Sequence, residues 1–173
     1  SIFYGVCTLI LTYLIAIPLG IFKALKHGEV EDFATSIIVF LGYAIPNYII
    51  AIALLYTFSF HFEIFPMGGF SSDEFDYLPW QDQVLDILEH AALPLLAYIS
   101  GSFAVMTFMV KNALLDNISA QYVQTAISKG MNFRQAVFRH ALRNSLIPLA
   151  THFGNNISLI LMGSFLIETI FNI

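Results

Sequence analysis

The chain has 173 residues, of which 58% are hydrophobic and only 11% are charged, and it contains 17 Phe and 8 Tyr. Average soluble domains are about 25% charged, so this composition excludes an ordinary water-soluble domain and indicates an integral membrane protein. The formal net charge is −5, and the single cysteine, Cys7, excludes an internal disulfide framework. Because the chain begins at Ser1 and stops directly after an apolar segment, we expect it to be part of a longer protein.

Four apolar stretches are long enough to cross a bilayer as helices. A hydrocarbon core of about 30 Å requires about 20 mostly apolar residues per helix. The four predicted spans are residues 2–25, 33–60, 91–110 and 145–171. Each contains one proline (Pro18, Pro46, Pro94 and Pro148), which can mark either a packing kink or a hinge. The sequence therefore predicts an all-α membrane protein with four transmembrane helices.

The connections between the predicted spans differ strongly in charge. All seven Lys and Arg residues lie in 23–32 and 111–144, whereas 61–90 carries seven acidic residues and no Lys or Arg. By the positive-inside rule, the two basic connections face the cytoplasm and the acidic one faces outward. The acidic connection is either a solvated outer surface or a docking surface for an external partner, and the sequence leaves both possibilities open.

The acidic connection also carries local structural patterns. Gly68 and Gly69 follow Pro66 closely, which predicts a turn. Val84 and Leu88 recur at helical spacing after Trp80, so residues 80–90 are predicted to form a short helix along the membrane surface.

The basic connection at 111–144 is longer than most loops and predicts two short helices. Ser119 is a candidate N-cap of the first helix, and Gly130 suits the left-handed residue at its end. Asn132 is a candidate N-cap of the second helix, with Gln135 three residues later. No acid occurs between residues 122 and 148. Anionic lipid headgroups would explain this uncompensated positive charge, and so would a cytoplasmic partner protein.

The stretch YVQTAISKGMNFRQAVFRHALRNSLIP, residues 122–148, closely resembles the cytoplasmic loop of permease subunits in binding-protein-dependent ABC importers of the dipeptide, oligopeptide and nickel branch. The family signature is a Glu-Ala-Ala-like triplet followed after three residues by glycine. Here the triplet is Gln124, Thr125 and Ala126, and the glycine is Gly130. Gln124 and Thr125 depart from the family pattern, although threonine is ordinary at this position within the branch.

The resemblance covers nearly the whole chain. IPNYIIAIALLYTFSFHFEIFPMGGF at 45–70 is similar to the third helix and following loop of the branch, and FLIETIF at 165–171 to the end of its fifth helix. The acidic segment GGFSSDEFDYLPWQ looks most like the subgroup that imports oligopeptides and microcin C. The resemblance thus identifies residues 1–173 as part of the transmembrane domain of a type I ABC importer permease.

The resemblance also implies a division of labour among subunits in the bacterial cytoplasmic membrane. The loop would form a coupling helix that docks on a separate ATPase, beside a second permease subunit and an extracytoplasmic solute-binding protein. The implied ATPase-coupling residues are Tyr122, Thr125, Ala126, Lys129, Gly130, Arg134, Arg139 and Arg143. The chain has no Gly-x-x-x-x-Gly-Lys-Ser/Thr phosphate loop, so we expect ATP to be hydrolysed by the partner. We expect no cofactor, metal ion or nucleic acid for this chain, and contacts with membrane lipid.

Polar residues within the spans are candidates for lining a solute pathway, since such groups usually face protein or water. The candidates are Asn47, His152, Asn155 and Asn156. Hydrogen bonding between helices is the alternative explanation for these residues. Glu168, near the end of the last span, is a candidate contact for the delivery protein or the outer gate.

These patterns together predict the membrane-spanning subunit of an ATP-driven importer of peptides or peptide-like solutes. The alternative is an ion-coupled carrier or channel without an ATPase, which should place carboxylates inside its spans. Among the predicted spans only Glu168 approaches this requirement. A membrane anchor or scaffold would not need so specific a loop.

Overall fold

The computed structural model describes residues 2–153 and 164–173. The helices are α1 (Ile2–Leu25), α2 (Val30–Ala44), α3 (Asn47–Leu54, continued as a π-helical stretch at Leu55–His61), α4 (Trp80–Ile118), α5 (Gln121–Ser128), α6 (Phe133–Ala136, continued at Val137–Ala141), α7 (Leu142–Ser145), α8 (147–153) and α9 (Phe165–Ile170). A short 3-10 turn covers Phe75–Tyr77. No β-strand occurs in these residues, so the predicted all-α class is confirmed for the described part of the chain.

The helices α1 and α4 form the central pair of the bundle. Gly20 on α1 lies directly against α4, where a Cβ atom at Gly20 would come within 2.6 Å of Val110 Cβ and 2.8 Å of the Thr107 carbonyl oxygen. Glycine therefore allows the two helices to approach closely. Within the described ranges, α1 and α4 are long and apolar enough to cross a membrane, and α2 with α3 would add a third span if the bent pair counts as one.

The second predicted span is broken between α2 and α3. The two helices differ in direction by 94°. Proline disfavours a helical conformation at the residue before it, and Ile45 is extended, with φ −92° and ψ 124°, just before Pro46. The helical pattern predicted over 33–60 is therefore divided at Pro46, where a kink or a hinge was predicted and the structure has a sharp break. By contrast, Pro18 and Pro94 are accommodated inside α1 and α4.

The third predicted span, 91–110, is the middle of the much longer α4. This helix has 39 residues and begins at Trp80, so the prediction of a separate surface helix at 80–90 is wrong. The helical pattern was correct, but Pro94 does not interrupt the chain between the two segments. At about 1.5 Å per residue α4 is about 58 Å long, about twice the hydrocarbon thickness of a bilayer. It therefore extends beyond the apolar layer.

Basic and acidic segments lie at opposite ends of this bundle. We call the end formed by the α1–α2 linker and residues 111–144 the basic end, and the end formed by residues 61–79 and the first turns of α4 the acidic end. Near the acidic end, Gly69 N donates a hydrogen bond to the Phe171 carbonyl at 2.9 Å, and Gly69 has a φ of 92°. The predicted turn around Gly68 and Gly69 therefore contacts the backbone directly after α9.

Buried apolar clusters run along the bundle. At the basic end α5 to α7 pack on α1 and α4, and at the acidic end α3, α4 and α9 meet. Many large apolar side chains instead point outward, including Ile10, Leu14, Ile38, Phe40 and Ile52. Continuous outward apolar surface of this kind suits contact with lipid or with other membrane helices.

Candidate functional site

The N-cap of the first helix at the basic end, α5, lies one residue after the proposed cap Ser119. Ala120 is extended at the N-cap position and supplies no side-chain hydrogen bond. Ser119 instead belongs to the last turn of α4, where its Oγ donates to the Leu115 carbonyl at 3.1 Å. The prediction that Ser119 caps this helix is wrong, because α4 continues further than its apolar pattern. Gly130 has a φ of 94°, which confirms the predicted left-handed glycine after α5.

The second helical stretch begins as its sequence predicts. Asn132 is the N-cap of α6, and its Oδ1 accepts a hydrogen bond from Gln135 N at 2.8 Å. Val137 and Ala141, which lie four residues apart, are fully buried, whereas Phe133, four residues before Val137, is exposed. The helical stretch that starts at α6 thus has one anchored face and one open face.

The anchored face of α5 to α7 packs on the ends of the two central helices. Val123 and Val137 contact a buried cluster that includes Ala24 of α1 and Leu114 of α4. Ser145 of α7 adds a hydrogen bond from its Oγ to the Ala113 carbonyl at 3.1 Å. The helices α5 to α7 are therefore in direct contact with the ends of α1 and α4.

The open face of this helical unit carries the residues implied for ATPase coupling. Ala126 is half-buried and the others are exposed: Tyr122, Thr125, Lys129, Gly130, Arg134, Arg139 and Arg143. We call these eight residues the basic surface. In the part of the chain that the structure describes, none of its four Lys and Arg side chains pairs with a carboxylate. The surface therefore presents uncompensated positive charge.

A cavity of about 370 Å³ lies between α1, α3, α4 and α8. It brings together Asn47 and His152, two predicted pathway residues from different spans. Asn155 and Asn156 lie outside the described residues. The side chain of Asn47 rests against Gly101 of α4, where any Cβ atom would overlap the Asn47 amide. The described lining contains no Lys, Arg, Asp or Glu, so the cavity presents uncharged polar groups.

Hydroxyl groups of α1 also line this cavity, and sequence reasoning missed them. Thr8 and Thr12 both face it, and within the described residues their buried Oγ1 atoms have no hydrogen-bond partner. The same holds for His152 Nδ1. Buried polar groups normally have partners, so these three atoms leave unused hydrogen-bonding capacity beside the cavity within the described residues. The four-residue spacing of Thr8 and Thr12, which places them on one helical face, was the available clue.

Glu168 lies close to the cavity but contacts the protein itself. Tyr98 OH donates a hydrogen bond to Glu168 Oε1 at 3.3 Å and accepts one from Ser164 N at 3.0 Å. Tyr98 of α4 thus connects the central helix with the start and the middle of α9.

A second group that sequence reasoning missed is a buried ion cluster at the basic end. Asp32 of α2 lies between Lys23 of α1 and Lys111 of α4. The sequence pattern had assigned all three residues to the connections between spans. The contact between Lys111 and Asp32 joins residues 79 positions apart, so no local pattern indicates it.

Comparison with known proteins identifies the family. Residues 16–173 match the family described as the inner membrane component of binding-protein-dependent transport systems. The chain belongs to this family. The resemblance of the 122–148 stretch to importer permeases is thereby confirmed, and so is the assignment of the chain to a membrane protein.

Relatives of this permease-family chain include proteins named for peptide transport. It is 39% identical to the inner membrane ABC transporter permease protein YejB of Escherichia coli O157:H7, over 100% of the chain and 48% of the relative. It is 40% identical to the peptidoglycan transport system permease protein YejB of Agrobacterium fabrum, over 98% and 47%. It is 29% identical to the dipeptide transport system permease protein DppB of Bacillus subtilis, over 98% and 50%. The chain spans about half the length of these relatives.

Proposed function

We propose that the chain forms the membrane-spanning core of a permease subunit in an ATP-driven importer of peptides or peptide-like solutes. The observation that carries this proposal is its similarity, over at least 98% of its length, to permeases named for dipeptide and peptidoglycan transport. Its partners are a second permease subunit, cytoplasmic ATPase subunits and an extracytoplasmic solute-binding protein. The chain itself hydrolyses no ATP.

The proposed topology has four spans, with the fourth entering at α8 and leaving at α9. The basic end faces the cytoplasm, and the acidic end faces outward in the bacterial cytoplasmic membrane. Two observations support this orientation. The basic segments 23–32 and 111–144 meet at one end of the bundle through the contact between Asp32 and Lys111, and positive charge favours the cytoplasmic side.

The basic surface is the proposed contact with the ATPase. Its cationic side chains are open to solvent, while the opposite face of the same helices is packed on α1 and α4. A helix held in this way can transmit rigid-body motion from a docked partner into the spans. An ATPase groove lined by acidic side chains would complement Arg134, Arg139 and Arg143.

The cavity between α1, α3, α4 and α8 is the proposed part of the solute pathway. Asn47 and His152 line it together with the hydroxyls of Thr8 and Thr12. An uncharged polar lining can exchange hydrogen bonds with peptide amides without binding either charged terminus strongly. Asn155 and Asn156 remain proposed pathway residues.

The alternative of an ion-coupled carrier or channel is not favoured. Such proteins carry ions or protons on ionisable groups inside their spans. No carboxylate lines the cavity within the described ranges, and Glu168 accepts a hydrogen bond from Tyr98 instead.

The experiment is reconstitution of the full-length permease with its partner subunits in proteoliposomes. We expect uptake of a labelled oligopeptide that requires ATP and the binding protein.

The double variant Arg139→Glu/Arg143→Glu should reduce co-purification of the ATPase about tenfold, as expected for reversal of interfacial charge. Lys26→Glu is the matched control, because Lys26 also lies at the basic end but outside the basic surface, and it should leave the complex intact. Uptake driven by an ion gradient without ATP would support the carrier alternative. Full ATPase retention by the double variant would contradict the assigned contact.

A further inference from the structure

Asp32 lies at the junction of three helices at the basic end. Its Oδ1 is 2.9 Å from Lys23 Nζ and 2.8 Å from Lys111 Nζ, and its Oδ2 is 2.7 Å from Lys111 Nζ. All three residues are buried, with exposed fractions of 0% for Lys23, 6% for Asp32 and 8% for Lys111. The single carboxylate therefore bridges two buried ammonium groups from α1 and α4.

The start of α2 is held by the same cluster. Gly28 in the α1–α2 linker has a φ of 82°, a conformation that suits glycine, and its backbone N–H donates to Asp32 Oδ2 at 3.3 Å. Lys23 Nζ also donates to the Asp32 carbonyl at 2.8 Å and to Ser36 Oγ at 2.6 Å. Both the side chain and the backbone of Asp32 are thus anchored.

The cluster adjoins the apolar contact that supports α5 to α7. Lys23 directly precedes Ala24, and Lys111 lies three residues before Leu114. Both Ala24 and Leu114 belong to the buried cluster that receives Val123 of α5. The ion cluster and the buried cluster that holds α5 are therefore adjacent on α1 and about one helical turn apart on α4.

We propose that Asp32 is a positioning residue that clamps α2 to α1 and α4, so that motion of α5 to α7 moves all three helices as one body. This inference rests on the proposed coupling function of the basic surface. Apolar contact alone resists separation of helices but permits sliding. A carboxylate shared by two ammonium groups fixes the register of all three helices, because its hydrogen bonds are directional. Without the clamp, α5 would still push α1 and α4, while α2 and the attached α3 would lag behind.

The first test is Asp32→Asn in the full-length permease, assembled with its ATPase and binding protein. This variant leaves two buried ammonium groups without their counter-charge, a strongly unfavourable arrangement. We expect ATP hydrolysis to continue, while the number of peptides imported per ATP falls about tenfold, a change within the usual range for coupling between sites. Unchanged import per ATP in the assembled variant would overturn the proposal.

The matched control removes an exposed ion pair from the same linker. Lys26 Nζ lies 2.6 Å from Glu29 Oε2, and this hydrogen bond raises the pKa of Lys26. Exposed pairs of this kind contribute little, so Glu29→Gln should preserve import per ATP. A loss in the control equal to that in Asp32→Asn would overturn the specific role of Asp32.

The second variant separates positioning from general damage to the fold. Exchanging the charges in Asp32→Lys/Lys111→Asp retains two cations and one carboxylate at the junction, so import per ATP should recover at least partly relative to Asp32→Asn. The melting temperature of the purified permease, measured without ATPase, should fall in Asp32→Asn and recover in the exchanged variant. An unchanged melting temperature in Asp32→Asn would overturn the clamp itself. If instead the wild type imports no peptide with ATP, the proposed function fails while the melting data still decide whether the clamp exists.

Discussion

Asn47 and Gly101 meet where α3 starts against the middle of α4, beside the cavity. The residue before Pro46 is extended, so the chain leaves α2, turns and directs the first residue of α3 toward α4. The absence of a side chain at Gly101 provides the space that the Asn47 amide occupies. The position of one cavity-lining group thus depends on a proline break in one helix and a glycine in another.

We predict that Gly101→Ala displaces Asn47 from the cavity and impairs peptide uptake. The added methyl group overlaps the Asn47 amide, and overpacking of this kind is destabilising by about 1–3 kcal/mol. The double variant Asn47→Ala/Gly101→Ala removes the overlap. Its loss of unfolding free energy should therefore be smaller, by about 1 kcal/mol, than the sum of the losses in the two single variants. Thermal unfolding and uptake rates measure both effects, and strictly additive behaviour would show that the two residues do not interact.

Sequence reasoning succeeds at the residue scale where the determinant is local. Asn132 and Gly130 act through their own backbone neighbours, so a pattern of a few residues predicts both. Asn47 and His152 were predicted as pathway residues from polarity alone, but their meeting in one cavity depends on the packing of separate spans. The ion cluster around Asp32 requires a contact across 79 positions, and no periodicity carries that information.

At the scale of the elements, α5 is attached to the bundle through a single fully buried side chain. Val123 is the only residue of α5 with no exposed surface, and it inserts between the ends of α1 and α4. The presence of a short helix before Gly130 was predicted from the sequence. Its start was not, because the end of α4 depends on packing beyond its apolar segment.

We predict that Val123→Asp releases α5 from its seat. Burying an unpaired carboxylate at this position is unfavourable by about 3 kcal/mol or more, so the helix should detach while the spans stay folded. Limited trypsin digestion after the exposed Lys129 should then become several-fold faster. The control, Thr125→Asp, places the same charge on the exposed face of the same helix and should leave digestion nearly unchanged. Equal digestion of both variants would argue against this seat.

For the whole molecule, the opposite charges of the two ends predict which end faces the cytoplasm and which faces outward. The second and third helical segments did not match the spans predicted for them: one is sharply broken and the other is much longer. Even so, the two basic segments meet at one end of the structure, as their shared charge suggested. Hydropathy predicts which segments are apolar, whereas the bends and lengths depend on individual prolines and on packing.

We predict that the two ends react with a membrane-impermeant maleimide from opposite sides. In a Cys7→Ala background, Asp73→Cys at the acidic end should be labelled in cells whose cytoplasmic membrane is intact. Ser128→Cys at the basic end should be labelled only after permeabilisation, because positive segments remain in the cytoplasm. Labelling of both positions from the same side would contradict the proposed orientation.

The unbroken course of α4 has a geometric consequence for any motion that starts at the basic end. A helix about 58 Å long that tilts as one rigid body by about 5° around one end moves its other end by about 5 Å. A small tilt of α4 near its contact with Val123 of α5 thus moves the start of α4, at the acidic end, by a distance similar to the length of a side chain. No torsion within α4 has to change for this to happen. The bend at Ile45 and Pro46 lies in the neighbouring helix pair, where it can absorb the mismatch that such a tilt creates.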